Sequence, residues 1–136
     1  MGEMKMPVKS FMKKSCWGIF PFALMLSAAV THAHHSTAMF DTSQVREFTG
    51  TVREFQFTNP HSWIQVTTVD ENGEQVEWSL EWGSPNQLGR QGIRPWTFPP
   101  GARVTIRANP MADGAYGGLF IGARFEDGST VGRWQE

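Results

Sequence analysis

The stretch 63-WIQVTTVDENGEQVEWSLEW-82 decides the fold, because it contains two strand patterns joined by a tight turn. In its second half the residues alternate between apolar and polar, a period of two that is typical of a half-buried β-strand. The apolar face of that strand carries Val76, Trp78, Leu80 and Trp82. The Asn-Gly pair at 72–73 is the strongest short signal for a β-hairpin. The stretch therefore predicts two antiparallel strands with one apolar face, whose two tryptophans we expect in the core.

A third strand precedes this hairpin, and a short helix follows it. Residues 48–57 (FTGTVREFQF) alternate loosely and are separated from Trp63 by the loop TNPHS at 58–62. After the hairpin, Ser84 followed by Pro85 predicts a helix N-cap and first helical residue, and Gly89 or Gly92 can end the helix.

The last third of the chain returns to strand patterns. Residues 102–109 (ARVTIRAN), 119–125 (LFIGARF) and 130–134 (TVGRW) read as strands, with an Asp-Gly turn between the last two. Three strands, a short helix and two or three further strands predict an all-β fold with one short helix. The expected architecture is a small OB-like Greek-key β-barrel of five to six antiparallel strands. Another small barrel or an open sheet is the competing interpretation.

The N-terminal third has the pattern of an export signal. Four lysines lie ahead of an apolar run at 16–30, and Thr31-His32-Ala33 supplies small residues for signal peptidase. The apolar run is short for a membrane span, which needs about 18 apolar residues or more. We therefore expect residues 1–33 to be a cleaved signal peptide, residues 34–136 to be a single β-barrel domain, and the location to be the periplasm or the exterior. An uncleaved anchor is the alternative.

Composition limits the partners of the mature chain. Cleavage removes all four lysines and the only cysteine, and leaves eight arginines against twelve acidic residues, a formal charge of about −4. This balance argues against nucleic acid, whose binding depends on neutralising phosphates. We expect no nucleic acid partner, no stable membrane span after cleavage and no internal disulfide.

The remaining histidines suggest a metal site. Cleavage after Ala33 makes His34 the N-terminus, whose amine and ring nitrogen can chelate one ion, and one further imidazole completes a three-nitrogen set. Such nitrogen ligation suits copper(II). The candidate ligands are His34, His35 and His61, with copper as the expected cofactor. Residues at the possible edge of the site are Met39, Asn59, Trp63 and Met111.

Plainer interpretations of the same residues stay open. A histidine-rich junction can serve only to keep the cleavage site accessible, and chain ends are commonly disordered. His61 can simply hydrogen-bond in a turn that Asn59-Pro60 begins, and methionines are common core residues. Glu77 and Glu81 lie about 13 Å apart along one strand, too far for a paired-carboxylate site, and we expect them to be solvated. No nucleophile–base set is recognisable, which argues against an enzyme and leaves the question open.

Several motifs together carry a resemblance. They are AHHSTAMFD (33–41), GTVREFQFTNPHSWIQV (50–66), WSLEWGSPNQLGRQG (78–92), PPGARVTI (99–106) and NPMADG (109–114). Across almost the whole mature chain, these motifs resemble a family of small exported bacterial proteins catalogued only as a domain of unknown function. The positions that match its signature are His34, His35, Ser36, Phe40, Asp41, Asn59, Pro60, His61 and Glu81. The resemblance implies export and a single domain, and implies no activity.

The expected function is therefore that of a small periplasmic binding protein that holds copper through the His34 chelate and the Asn-Pro-His loop. The alternative is an interaction or scaffold domain that docks a periplasmic protein partner without metal. A copper-dependent oxidase of the N-terminal histidine type is a third hypothesis, disfavoured because about 100 residues leave little substrate surface beside the metal.

Overall fold

The computed structural model describes residue 2 and residues 37–134, the latter all within one compact unit, His34–Glu136. A short 3₁₀ helix (Thr37–Met39) is followed by β1 (Arg46–Gln56), β2 (Trp63–Val69) and β3 (Gln75–Glu81). Helix α1 (Pro85–Arg90) comes next, followed by β4 (Arg103–Pro110), β5 (Gly117–Phe125) and β6 (Thr130–Gly132). In the described part of the chain, no helix has the length and apolar character needed to cross a membrane.

The strands form a closed barrel of five with an extra strand at its side. Their order is β3-β2-β1-β4-β5-β6, and a further pairing of β3 with β5 closes the barrel. Three strands, a short helix and three strands are the order that the sequence predicts, so the small OB-like barrel is confirmed. The β3–β5 pairing is parallel, with Ser79 opposite Gly117 and Glu81 opposite Leu119. The barrel is therefore mixed rather than antiparallel throughout, because β3 and β5 run in the same direction when they meet.

Helix α1 and the segment behind it close one end of the barrel. Ser84 caps the helix by accepting a hydrogen bond from the backbone N–H of Gln87, and Pro85 is its first residue, as predicted. Leu88 and Phe98 are almost completely buried. Phe98 packs its ring among aromatic rings at the ends of the strands, with centroid distances of 5.4 Å to Phe55 and 5.8 Å to Phe120. We call this the α1 end of the barrel.

The inward faces of the strands supply the core. Trp78 on β3 and Trp82 just after it pack against the core, as the alternation in 76–82 predicts. The buried core residues are Val52, Ile64, Val66, Leu80, Phe98, Val104, Ile106, Ala108, Phe120 and Ala123. Removing these side chains from water supplies the main free energy of folding, because apolar burial contributes about 25 cal/mol per Å². Since every strand of the barrel contributes, the strand ends and their loops are held by one packed scaffold.

The segment before β1 is fixed on the outside of the β4–β5 connection. Phe40 forms an isolated β-bridge with Met111 and is 8% exposed. Backbone hydrogen bonds on either side hold the segment, from Asp41 N–H to the carbonyl of Pro110 (2.8 Å) and from Ala112 N–H to the carbonyl of Met39 (2.9 Å). The first residues of the described range 37–134 thus have a defined position on the barrel.

Candidate functional site

The side chains of His61 and Glu81 are in close contact at the end of β3. The Nδ1 atom of His61 contacts the Oε1 atom of Glu81. The glutamate side chain is 9% exposed and the histidine side chain 31% exposed, so the pair lies at the surface with its carboxylate covered. Because an isolated carboxylate is costly to bury, the imidazole is the group that compensates Glu81.

The loop between β1 and β2 positions His61. Two backbone hydrogen bonds extend the β2–β3 ladder beyond the strands, from Ser62 N–H to the carbonyl of Gly83 (3.1 Å) and from Trp82 N–H to the carbonyl of Ser62 (2.9 Å). The Thr58 hydroxyl donates to the carbonyl of His61 (3.2 Å), and the Asn59–Pro60 peptide bond is cis. Hydrogen bonds therefore hold the backbone at His61 and at Ser62.

The burial of Glu81 corrects an expectation from the sequence. Alternation in β3 predicts a solvated Glu81 on the outer face, together with Glu77. Glu77 is exposed and pairs with Arg53, as a surface residue does. Glu81 is 7% exposed because the loop at 57–62 folds over the end of β3 and brings His61 onto it. The pattern within one strand contains no information about that loop.

The pair has the chemistry of a supported metal ligand. When Nδ1–H of a neutral imidazole donates to a carboxylate, the ring orientation is fixed and the lone pair lies on Nε2, the atom that can bind a metal. Metal-binding histidines nearly always carry such a partner on their other nitrogen. Glu81 can fill that role for His61.

The other predicted site residues fall into two groups. Trp63 belongs with His61, because it is the register partner of Glu81 on β2, and Asn59 lies exposed in the same loop. Met39 and Met111 form the second group, on the two segments joined by the Phe40–Met111 bridge. Met39 is 45% exposed and Met111 is half-buried.

The seam between β3 and β5 connects these two groups. A Cβ atom on Gly117 would lie 3.2 Å from Cγ of Met111 and 3.2 Å from the carbonyl oxygen of Ser79. Met111 therefore packs over the start of β5, next to Ser79. Glu81 is two residues further along β3, about 6.6 Å at the rise of a strand.

His34 and His35 lie outside the described residues. Among the residues that are described, no group of three or more His, Cys, Asp or Glu side chains could hold a metal ion. The described part of the predicted site is thus a single imidazole with its carboxylate, with the Met111 side chain packed at the neighbouring β3–β5 seam.

Comparison with protein families gives one match. A family model covers residues 23–121, which include the His61 loop, Glu81 and the β3–β5 seam. The chain belongs to the DUF6152 family. The family is described as one of unknown function, so membership confirms the resemblance to a domain of unknown function, names no activity, and leaves export and the individual motifs as predictions. No curated protein and no solved structure matches this DUF6152 chain.

Glu81 is not among the site residues predicted from the sequence. The resemblance includes Glu81 among the matching positions, and that inclusion was the only available signal. Its partner lies 20 residues away, across a hairpin and a loop that pattern analysis treats separately. The structure adds the register: Glu81, the last residue of β3, lies opposite Trp63, the first residue of β2.

Proposed function

We propose that this DUF6152 protein is exported to the periplasm and binds a transition metal ion, with copper as the preferred metal. The ligands are the amine and imidazole of His34 and the Nε2 atom of His61, with His35 as an alternative or outer ligand. Cleavage after Ala33 creates the amine. The barrel acts as the rigid support of the His61 loop.

The contact between Nδ1 of His61 and the covered carboxylate of Glu81 is the observation that carries this proposal. A surface histidine in an ordinary turn has no need of a covered carboxylate on Nδ1. A metal ligand benefits from one, because the carboxylate fixes the ring and raises the basicity of Nε2. Because hydrogen bonds hold the backbone of the loop, the His61 side chain loses less conformational entropy when it binds a metal ion.

The route of the chain into the barrel sets the distance that the His34 chelate must bridge. The segment 37–41 is held against Met111, and Met111 packs at the β3–β5 seam beside Ser79. His34 precedes Thr37 by three residues, which can span about 10 Å. The proposal requires that this reach brings His34 to the His61–Glu81 pair.

Copper follows from the kind of ligand. An amine and two imidazoles form a nitrogen set that favours tetragonal copper(II), which also has the highest affinity among the divalent ions of the first transition row. Met39 and Met111 offer thioethers, which bind copper(I). They would lie at the edge of the site, and we expect them to affect the reduced metal more than the oxidised one.

A copper(II) titration of the mature protein tests the proposal. The protein should begin at His34, as checked by mass spectrometry of the exported form. We expect one ion per chain, with an affinity that falls at least tenfold for His61→Ala and for a variant with one extra residue ahead of His34. Glu77→Gln is the matched surface control and should bind as the parent does. An affinity that neither change affects would refute the site.

A second candidate is an interaction domain without metal. Trp96 favours it, because its side chain is 74% exposed on a turn whose backbone is held by hydrogen bonds between Arg94 and Thr97. Exposed tryptophans are enriched at protein interfaces. Capture of a stoichiometric periplasmic partner that resists a chelator and is lost in Trp96→Ala would favour this function over metal binding.

A further inference from the structure

The end of the barrel away from α1 contains a cavity of about 580 Å³. We call it the open end. It lies between the turn that joins β2 to β3 and the loop that joins β4 to β5, with the segment before β1 along one side. Sites for small molecules commonly have volumes of about 300–1,000 Å³ and are often found in the mouths of β-barrels. The cavity therefore has the size and position of a ligand site.

Three aromatic rings line this cavity. Phe48 and Trp78 lie against each other with ring centroids 4.5 Å apart, and Tyr116 meets Trp78 edge-on at 6.0 Å. Phe48 and Trp78 also pack against the core, which fixes their position. Tyr116 is 46% exposed and extends the aromatic surface towards solvent. Ring faces have negative potential and attract cations.

Carboxylates surround the aromatic surface and are held by hydrogen bonds. The Oδ1 atom of Asp70 accepts hydrogen bonds from the backbone N–H groups of Asn72 and Glu74 (both 2.9 Å), and Oδ2 accepts one from the Tyr116 hydroxyl (3.0 Å). The N–H of Glu74 is the main reason that the pKa of Asp70 lies below its ordinary value. Asp41 is held similarly, and the Ser43 hydroxyl is the main cause of its lowered pKa.

The charge around the cavity is negative. Asp41, Asp70 and Glu71 line it together with one guanidinium, that of Arg46. Glu47 also lines it and forms an ion pair with Arg107 at 2.7 Å. Three carboxylates against one guanidinium leave an excess of negative charge beside the aromatic rings of the cavity.

We propose that the open end binds a small organic ammonium ion, such as a quaternary alkylammonium, whose methyl groups contact Trp78 and Tyr116 while Asp70 and Glu71 compensate its charge. This site shares Met111 with the edge of the proposed metal site, and its contacts to the ligand use neither His61 nor Glu81. Aromatic surfaces combined with negative charge are the usual means of recognising quaternary ammonium groups.

The arrangement of the carboxylates favours an organic cation over a metal ion. Both oxygens of Asp41 and of Asp70 already accept hydrogen bonds from the protein, so a metal ion would have to displace those donors. An alkylammonium ion needs no direct ligation, because its charge is spread over its methyl groups and interacts with fixed charges and ring faces at a distance. A neutral sugar would gain nothing from the excess negative charge.

Isothermal titration of the full-length, metal-free protein with choline tests this proposal. The neutral isostere 3,3-dimethylbutan-1-ol is the control ligand, because it has the shape of choline without the charge. We expect saturable binding of choline and at least about fivefold weaker binding of the isostere. Tyr116→Leu should weaken choline binding by a similar factor, and Glu71→Gln should weaken it to a smaller extent.

Variants outside the cavity provide the matched controls. Trp96→Leu removes an exposed aromatic ring and Glu77→Gln an exposed carboxylate, and both should bind choline as the parent does. Tyr116 is used in place of Trp78 because Trp78 packs against the core and its replacement endangers folding. The proposal is overturned by the absence of saturable choline binding, by equal binding of the isostere, or by an unchanged affinity in Tyr116→Leu.

Discussion

At the scale of single residues, Glu81 supports the His61 loop through its carboxylate. It is covered by the loop, faces the imidazole and lies at the point where β2, β3 and β5 meet. Replacement by glutamine keeps the volume and one hydrogen-bond acceptor and removes the charge. This substitution therefore separates the support of the imidazole from the packing of the loop.

We predict that Glu81→Gln lowers copper affinity by about tenfold to a hundredfold, the range observed when a carboxylate behind a ligating histidine is removed. The physical reason is the loss of the carboxylate that fixes the ring orientation and the tautomer of the ligating imidazole. Competition titration against a copper chelator measures the effect, and the copper(II) visible spectrum should shift as well. Glu77→Gln, on the same face of β3, should leave both unchanged. Equal effects of the two changes would contradict the role of Glu81.

Tyr116 gives a second prediction, because it is the only tyrosine of the chain. Its hydrogen bond to Asp70 raises the pKa of the phenol above its ordinary value of 10.0. A raised pKa means that the bond stabilises the fold fully below pH 10 and that this contribution is lost as the pH rises through the folded value. Ultraviolet titration of the phenolate should give a midpoint above 10.0. Asp70→Asn should move it back towards that value, and an unchanged midpoint would show that the bond is absent in solution.

At the scale of elements, closure of the barrel depends on close backbone contact along β5. A Cβ atom on Gly118 would lie 2.5 Å from the carbonyl oxygen of Asn109 on β4 and 3.2 Å from Cβ of Ala108. Gly118 is also the partner of Leu80 in the parallel pairing with β3. A side chain here would therefore push β5 away from β4 at the seam that closes the barrel.

We predict that Gly118→Ala lowers the free energy of unfolding by about 1–3 kcal/mol, the usual cost of forcing an extra carbon into a packed site. Gly89→Ala is the matched control, because the nearest atom to its Cβ would be 3.9 Å away, at the end of the Arg94 side chain. Gly89 lies within α1, where alanine is favoured over glycine by up to about 1 kcal/mol. Chemical denaturation measures both, and a Gly118→Ala variant as stable as the parent would contradict the tight seam.

At the scale of the whole molecule, the sequence predicts what is local. The Asn-Gly turn, the alternation in β3 and the Ser84-Pro85 helix start each depend on a few neighbouring residues, and together they predict the order of elements. The parallel closure of β3 onto β5 is different, because it joins Glu81 to Leu119 across 38 residues. No local pattern determines such a pairing.

The two candidate sites likewise combine features that are visible in the local sequence with features that only the fold brings together. His61 is recognisable as a candidate because of its residue type and its Asn-Pro-His context, whereas its carboxylate becomes visible only when the loop folds over β3. The cavity at the open end combines β1, β2, β3, the segment before β1 and the β4–β5 loop. Its Tyr116–Asp70 bond spans 46 residues, so neither residue attracts attention in the sequence alone.

Electron paramagnetic resonance of the mature protein with one equivalent of copper(II) tests the central claim most directly, because it counts the nitrogen ligands of the metal. The account predicts three coupled nitrogens in the parent, two from His34 and one from His61, and two in His61→Ala. Identical spectra for the two proteins would contradict a site that joins the new N-terminus to the His61 loop.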